Sequence, residues 1–323
     1  MKKLISPEPN LVAIAEVPDP EIGPDDVLVR NVRSLISPGS ELKRVTPVEG
    51  QAGQSWPNHD LGYAAAGEVI ALGENVTGFA IGDRVTTMGH HQELIAASTL
   101  PDVTRGTVHI PEGVSWDDAP FINWGRSCWN WTMKADIAVG ETVAVMGLGL
   151  VGLLMVMWSR LRGPERVIGL DLHESRLELA KAAGADAAIN AGEADPVAAI
   201  GDITGGRGAD VTFHCVAGDA VRSFETTQRI TRHGGRVVMI GHHSKPLTIL
   251  FREFTSKDLL GGNTDYDRDH RLFELGGRLI ARGLLPVNRI VTHNVPFTEA
   301  PGVYELLRTR PQDAAGVLLR WDE

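Results

Sequence analysis

The run Glu141-Thr142-Val143-Ala144-Val145-Met146-Gly147-Leu148-Gly149-Leu150-Val151-Gly152 joins a short apolar, β-prone stretch to Gly-x-Gly-x-x-Gly. An apolar segment able to open a helix follows. Glycines at this spacing let the backbone approach a pyrophosphate, and the helix N-terminus offers unpaired N–H groups and the positive end of its dipole. A second apolar strand, Arg166 to Leu170, ends at Asp171, 19 residues beyond Gly152. An acid about 20 residues on is the expected partner of the adenosine ribose hydroxyls. Strand, glycine triplet, helix, strand and acid in this order point to dinucleotide binding.

The same texture continues downstream. Val143–Met146, Val167–Leu170, Ala187–Ile189, Val211–Cys215 and Val237–Ile240 read as short strands, with helical patterns at Glu174–Ala183 and Asp219–Ile230 between them. Such alternation predicts an α/β unit, a doubly wound parallel sheet with helices on both faces. Upstream, residues 1 to about 120 read as mostly β, with runs at Leu11–Val17, Asp26–Ile36, Ala64–Leu72 and Asp83–Ala97 separated by Pro, Gly and Asp turns. Beyond Gly262, a helix is expected at Arg271–Arg282, a strand at Arg289–Val291, a second helix at Thr298–Leu307 and a closing strand at Gly316–Arg320.

Bulk properties narrow the partners. The chain has 323 residues, enough for two domains at about 100–200 residues each. A formal charge of −10 argues against a nucleic-acid partner, since phosphate binding needs a basic surface. The longest apolar run, Val143 to Trp158, is interrupted by glycines and shorter than the about 20 residues of a membrane span, so no membrane partner is expected. Met1 to Pro9 lacks the apolar core of a secretion signal. Two cysteines, Cys128 and Cys215, fit a reducing compartment and cannot form a four-cysteine zinc site. A cytoplasmic protein acting on a small polar molecule is expected.

Further motifs carry a resemblance. Gly67-Glu68-Val69, Gly73, Val76, Gly78-Phe79 and Gly82-Asp83-Arg84-Val85, with Ile110–Val114, Val291-Thr292-His293 and Pro296-Phe297 before Tyr304–Leu307, resemble the medium-chain dehydrogenase/reductase superfamily over essentially the whole chain. The resemblance implies a chaperonin-10-like (GroES-like) β-rich catalytic domain, residues 1–120 plus 265–323, and a Rossmann NAD-binding domain, residues 121–264. It also implies a homodimer or homotetramer formed through the cofactor domain.

Departures from the family pattern bear on the chemistry. Where zinc-dependent relatives place a cysteine, this chain has Ser37 in Ile36-Ser37-Pro38-Gly39-Ser40-Glu41. Their Gly-His-Glu is replaced by Gly62-Tyr63-Ala64, and Asn123 is the polar residue nearest the third ligand position. Serine, tyrosine and asparagine make a poor zinc site, so no metal is expected. The segment resembles a branch that includes bacteriochlorophyllide-type and sugar-related dehydrogenases.

The cofactor is expected to be NAD, held by Gly147, Leu148, Gly149, Leu150, Val151 and Gly152 and by Asp171, whose carboxylate would repel a 2′-phosphate. The alternative role for Asp171 is a helix N-cap. By resemblance Arg176 touches the same ribose, and the backbone at Val216, Ile240, Gly241 and His242 meets the nicotinamide. Without zinc a side chain must handle the hydroxyl proton. Tyr63, Ser40, His91, His242 and Asn123 are the catalytic candidates. Tyr63 needs a cation such as Lys43 or Arg44 to act as base, because a free phenol titrates near 10. His59, His90 and His91 form a conceivable metal cluster without a known zinc spacing. Ser37, Glu41, Trp124 and Arg126 are candidate substrate contacts, with Trp129 and Trp131 either beside them or in the core. Cys128 and Cys215 read as small buried apolar residues.

The expected activity is zinc-independent, NAD-dependent hydride transfer between nicotinamide and a secondary alcohol or ketone on a sugar, polyol or cyclitol. The cleft among Ser40, Tyr63, Asn123, Trp124 and His242 would hold the substrate. Alternatives are a zinc-free enone or quinone reductase, a non-catalytic NAD-sensing protein, and a lyase or epimerase that oxidises its substrate transiently.

Overall fold

A computed structural model describes residues 1–47, 54–100, 107–262 and 271–322. In chain order the strands are β1 (Lys2–Ile5), β2 (Ala13–Glu16), β3 (Asp26–Ile36), β4 (Ala65–Leu72), β5 (Arg84–Thr87), β6 (Leu94–Ser98), β7 (Val108–His109), β8 (Thr142–Met146), β9 (Arg166–Asp171), β10 (Ala187–Asn190), β11 (Ala209–His214), β12 (Thr231–Met239), β13 (Asp258–Gly261), β14 (Val291–Pro296) and β15 (Gly316–Arg320). The helices are α1 (Pro38–Val45), α2 (Gly125–Ala135), α3 (Leu150–Arg160), α4 (Glu174–Ala182), α5 (Pro196–Thr204), α6 (Val221–Ile230), α7 (Phe251–Phe254), α8 (Arg271–Ala281) and α9 (Ala300–Thr309). They fall into two compact units, Met1–Arg126 with Arg268–Glu323, and Ser127–Asp267.

In the second unit the parallel strands follow the order β10-β9-β8-β11-β12-β13. This is the doubly wound order with its switch point between β8 and β11, where ligands bind outside the carboxyl ends of the strands. Every residue of β8 is buried, as a central strand covered on both faces requires. Met146, Ile168, Leu170, Ile200 and Ile230 share a core on one side of that sheet.

The first unit is built on β3, whose 11 residues pair antiparallel with β4, β6 and β15. The sheet order β14-β15-β3-β4-β5-β7 brings the returning C-terminal strands beside the N-terminal ones. Ile36, Leu61, Tyr304, Leu307 and Leu319 pack together where β3 runs into α1, under α9. The expected doubly wound parallel sheet and the expected β-rich unit are both present.

Several local expectations change. Asp83–Ala97 is two strands, β5 and β6, separated by residues 88–93, which carry His90 and His91. Arg289-Ile290 belongs to a 3₁₀ turn, Val287–Ile290, and the strand begins at Val291. The division between units falls after Arg126 instead of after residue 120. The 3₁₀ segment Ala119–Trp124 packs on β3, β4, β5 and α8, so it clusters with the first unit. A β-carbon on Gly125 would lie 2.8 Å from the Leu272 carbonyl of α8, so these backbones cross almost in contact. The expected division at 264/265 lies outside the described residues. Among the described residues, no helix is long and apolar enough to cross a membrane.

Candidate active site

The dinucleotide motif forms the turn its glycines predict. Gly147 adopts φ +90°, accessible to glycine at no steric cost, and its N–H donates to Leu170 O at 2.9 Å. Gly149 is the N-cap of α3, and a β-carbon there would meet nothing within 4 Å. A β-carbon on Gly152 would come within 1.9 Å of Gly147 O. The first glycine therefore makes the turn, the second leaves open space above the helix N-terminus, and the third lets helix and strand close up. Leu150, Val151 and Gly152 supply the first helical turn, whose N–H groups have no intrahelical acceptor.

Asp171 closes β9 beside this turn. Its Oδ2 accepts from Leu148 N at 2.8 Å, and its Oδ1 accepts from Leu172 N and His173 N at 2.8 and 3.2 Å. The N-cap of α4 is His173, so Asp171 is not the cap residue. The Arg176 guanidinium lies 3.6 Å from Oδ2. Further along the same edge, a β-carbon on Gly147 would touch Val216, and one on Gly241 would reach 1.9 Å from Val216 O. Ile240 N and Gly241 N both donate to His214 O, at 3.0 and 2.9 Å. The structure thus gathers Arg176, Asp171, Leu148, Gly147, Val216, Ile240 and Gly241 on the carboxyl ends of β9, β8, β11 and β12. Three inter-strand steps of about 4.8 Å separate the outer two strands. This strip suits an extended dinucleotide.

His242 is exposed, with its carbonyl accepting Gly218 N at 2.9 Å. The packed imidazole on this segment is His243, which sequence reasoning missed; its Nε2 lies 3.3 Å from Nδ1 of the fully buried His214. Ser223 donates to Ala220 O, leaving its oxygen to accept from His214 Nε2 at 3.1 Å. His214 Nδ1 is then the acceptor from His243. Burial, reinforced by His243, pushes the His214 pKa down to about 3.

The first unit assembles a different kind of site. Ser37 is the N-cap of α1, followed by Pro38 at the first helical position, but its hydroxyl makes no cap bond. Instead the Tyr63 hydroxyl donates to Ser37 Oγ at 2.5 Å, with Ser40 Oγ at 3.5 Å. Tyr63 and Ser40 are half-buried, whereas Ser37 is buried. Trp124 tilts against the Tyr63 ring, with centroids 5.8 Å apart, and its buried indole N–H finds no acceptor.

Beneath this cluster lies Glu41, 1% exposed. It accepts from Ser37 N at 2.6 Å and from Tyr304 Oη, and its Oε2 is 3.0 Å from His91 Nε2. Burial alone would raise its pKa, but His91, Ser37 N and Tyr304 outweigh it and hold the carboxyl below its ordinary value. Burial pushes the Tyr63 phenol up to about 12; hydrogen bonds to Ser37 and Ser40 oppose the shift, and the Glu41 charge adds to it. Arg44, whose Nη1 donates to Asp60 O, lowers it by less than either. The expectation of a cation-assisted tyrosinate is therefore corrected: Tyr63 stays a phenol at neutral pH.

Other expected roles also change. His91 is completely buried, with Nδ1 2.8 Å from Ser34 Oγ and Nε2 on Glu41, so it is engaged inside the unit and does not face a substrate. Glu41, likewise buried, is engaged by Ser37 N, Tyr304 Oη and His91 Nε2. Asn123 accepts from Thr86 Oγ1 at 2.5 Å and donates to Thr87 O at 2.8 Å, tying the 3₁₀ segment to β5. Arg126 lies over the Phe273 ring, 5.2 Å from its centroid. Trp131 is buried and donates to Gly262 O, and Trp124 is the tryptophan in ring contact with Tyr63. His90 turns to Gly62 O and Asp60, away from His91, and among the described residues no three His, Cys, Asp or Glu side chains converge on a metal position. Burial raises both cysteine thiols. Tyr304, Ser34 and Trp321 complete the buried network, and sequence reasoning gave them no role. The Ser37-Pro38-Gly39-Ser40-Glu41 spacing, with proline after a capping serine, is the one signal that announced a helix start there.

Comparison with known proteins agrees with this geometry. A family model described as an alcohol dehydrogenase GroES-like domain matches residues 23–106, and one described as a zinc-binding dehydrogenase matches residues 151–274. The chain is 28% identical to an L-threonine 3-dehydrogenase of Symbiobacterium thermophilum, covering 91% of this chain and 90% of that protein. It is 27% identical to a sorbitol dehydrogenase of Bacillus subtilis, covering 94% and 93%. The solved structure of galactitol-1-phosphate dehydrogenase from Escherichia coli superposes with a TM-score of 0.86 at 19% identity, covering 99% and 100%. At the three positions where the resemblance places zinc ligands, this chain has the Ser37 hydroxyl, the Tyr63 phenol and the Asn123 amide, the last engaged by Thr86 and Thr87. With a GroES-like sheet in one unit and a dinucleotide edge in the other, the chain belongs to the medium-chain dehydrogenase/reductase superfamily and is an oxidoreductase acting on CH–OH groups.

Proposed function

We propose that this enzyme is a zinc-independent, NAD-dependent dehydrogenase that interconverts a secondary alcohol and its ketone on a sugar, polyol or cyclitol. One observation carries the metal-free reading: Tyr63 Oη sits 2.5 Å from Ser37 Oγ, a phenol and a hydroxyl in direct contact at two expected ligand positions. Relatives named for sorbitol and threonine support an alcohol-bearing polar substrate.

The first helical turn of α3 and the open space at Gly149 would hold the pyrophosphate. Asp171 would meet the adenosine ribose, and the backbone at Val216, Ile240 and Gly241 the nicotinamide. When bound, the dinucleotide supplies or accepts the hydride. Tyr63, kept protonated by burial, would turn its single O–H from Ser37 Oγ to the substrate oxygen, with the Ser37 hydroxyl then donating to Tyr63 Oη, and so stabilise negative charge as it develops there. In the oxidative direction each hydroxyl gains one proton as it gives up another: the substrate's passes to Tyr63 Oη, Tyr63's own to Ser40 Oγ, and that of the half-buried Ser40 to solvent water. Trp124 offers an apolar face and an indole N–H beside the phenol.

The test is turnover of chelator-treated protein with NAD⁺ or NADP⁺ and a panel of polyols, sugars and cyclitols. Activity is expected to survive chelation and to favour NAD⁺. Loss on chelation with recovery on adding zinc would overturn the metal-free reading, and a strong NADP⁺ preference would overturn the role given to Asp171.

A further inference from the structure

We propose that Glu41, His91 and Tyr304 are positioning residues that divert the Ser37 hydroxyl from capping α1 and hold it against Tyr63. This inference rests on the reading of Tyr63 as the proton-handling group.

The argument begins with a missing bond. An N-cap serine ordinarily accepts from a backbone N–H in the first helical turn, a contact that stabilises the helix start. In a capping box, an acid in that turn reaches back to the N-cap N–H. Here Glu41, one position beyond the capping-box place (which Ser40 occupies), makes the same kind of contact: its Oε1 accepts from Ser37 N at 2.6 Å. The reciprocal bond is absent, because Ser37 Oγ is engaged by Tyr63 and makes no cap bond. Glu41 thus anchors the helix start through the Ser37 backbone, and the hydroxyl is left for the phenol.

Glu41 can do this only if its own position is set. An ionised carboxylate at 1% exposure is costly unless donors surround it. Tyr304 from α9 and His91 from the loop before β6 supply two, in addition to Ser37 N. His91 is held in turn by Ser34 Oγ at 2.8 Å, and Ser34 accepts the Trp321 indole N–H at 2.9 Å. Segments more than 250 residues apart in sequence, around Glu41 and Tyr304, therefore fix one hydroxyl. The charged groups acting on Tyr63 are Glu41, which disfavours tyrosinate, and Arg44, which favours it more weakly.

The experiment compares Glu41→Gln, Tyr304→Phe and Tyr63→Phe in the full chain, reading kcat, KM and the tyrosinate absorbance titration. The chain has three tyrosines, so the transition lost in Tyr63→Phe identifies that of Tyr63. Glu41→Gln is expected to lower kcat by between about tenfold and a hundredfold with KM for the dinucleotide unchanged. It should also move the Tyr63 transition to lower pH. Tyr304→Phe, the gentler change, is expected to lower kcat in the same sense and serves if Glu41→Gln does not fold. Unchanged kcat and an unmoved Tyr63 transition in a folded variant overturn the positioning role, even if Tyr63→Phe is inactive. Full activity in Tyr63→Phe overturns the functional reading instead, and the titration still decides whether Glu41 acts on the phenol.

Discussion

The dinucleotide edge of the second unit and the hydroxyl cluster of the first solve their binding problems with different materials. Gly147, Gly149, Gly152 and Gly241 work by having no side chain, and the donors at that edge are backbone N–H groups. At Ser37, Tyr63, Glu41 and Tyr304 every working group except one N–H is a side chain, and the four come from three separate segments: the start of α1, the loop before β4, and α9. A backbone site depends on local geometry and tolerates no added atom. A side-chain site depends on long-range packing and can be dismantled one group at a time.

The largest effect on that contrast is expected at Tyr63. Tyr63→Phe removes the hydroxyl proposed to handle the proton and should lower kcat by about a hundredfold or more, with dinucleotide affinity unchanged in a direct binding titration. Next comes Gly152→Ala, whose β-carbon would meet Gly147 O at 1.9 Å. It should destabilise the nucleotide unit by about 2 kcal/mol or more in denaturant unfolding.

The two units should also part company in acid. A histidine in an unfolded chain titrates near 6.5, but His214 in the fold titrates at about 3. Between these values the unfolded state holds more protons, so the nucleotide unit loses stability as pH falls through that window. The loss is up to about 1.4 kcal/mol per pH unit. Glu41 has its folded pKa below the ordinary value, so its contribution is complete above about pH 4.3 and is lost only as pH falls through the lower folded value. Calorimetry between neutral pH and about pH 4 should therefore show the nucleotide unit weakening first; the reverse order would contradict the burial assigned to His214.

Smaller effects sharpen the comparison. Gly149→Ala meets open space, so folding should be unaffected while dinucleotide Kd rises about tenfold, a factor equivalent to 1.4 kcal/mol. Ser37→Ala should cost about 0.5–1.5 kcal/mol of unfolding stability, the net worth of its bond to Tyr63, and should also lower kcat; an unchanged kcat would remove Ser37 from the reaction.

These outcomes follow what was legible before the fold was known. The turn at Gly147–Gly152 and the acid at Asp171 could be read directly, because each is a contact among residues near in sequence or one crossover apart. Most strands could be read from alternation or from apolar runs. The roles of His91 and Asn123 could not be. A buried imidazole paired with Glu41 and an amide tied to β5 look, in sequence, like exposed polar residues beside a substrate. His243 was passed over for its neighbour His242, since nothing local distinguishes two adjacent histidines on a loop.

The sequence by itself determined the doubly wound unit, its dinucleotide edge and the lack of zinc-favouring side chains at the expected ligand positions. Residue type, glycine spacing and hydrophobic period are local properties, and those features depend on nothing else. Tertiary structure alone decided that Ser37 abandons its helix for Tyr63, that Tyr63 stays protonated, and that Glu41 is held by Tyr304 and His91. Protonation and hydrogen-bond choice are set by burial and by partners brought together from distant segments, and neither can be read from any one segment.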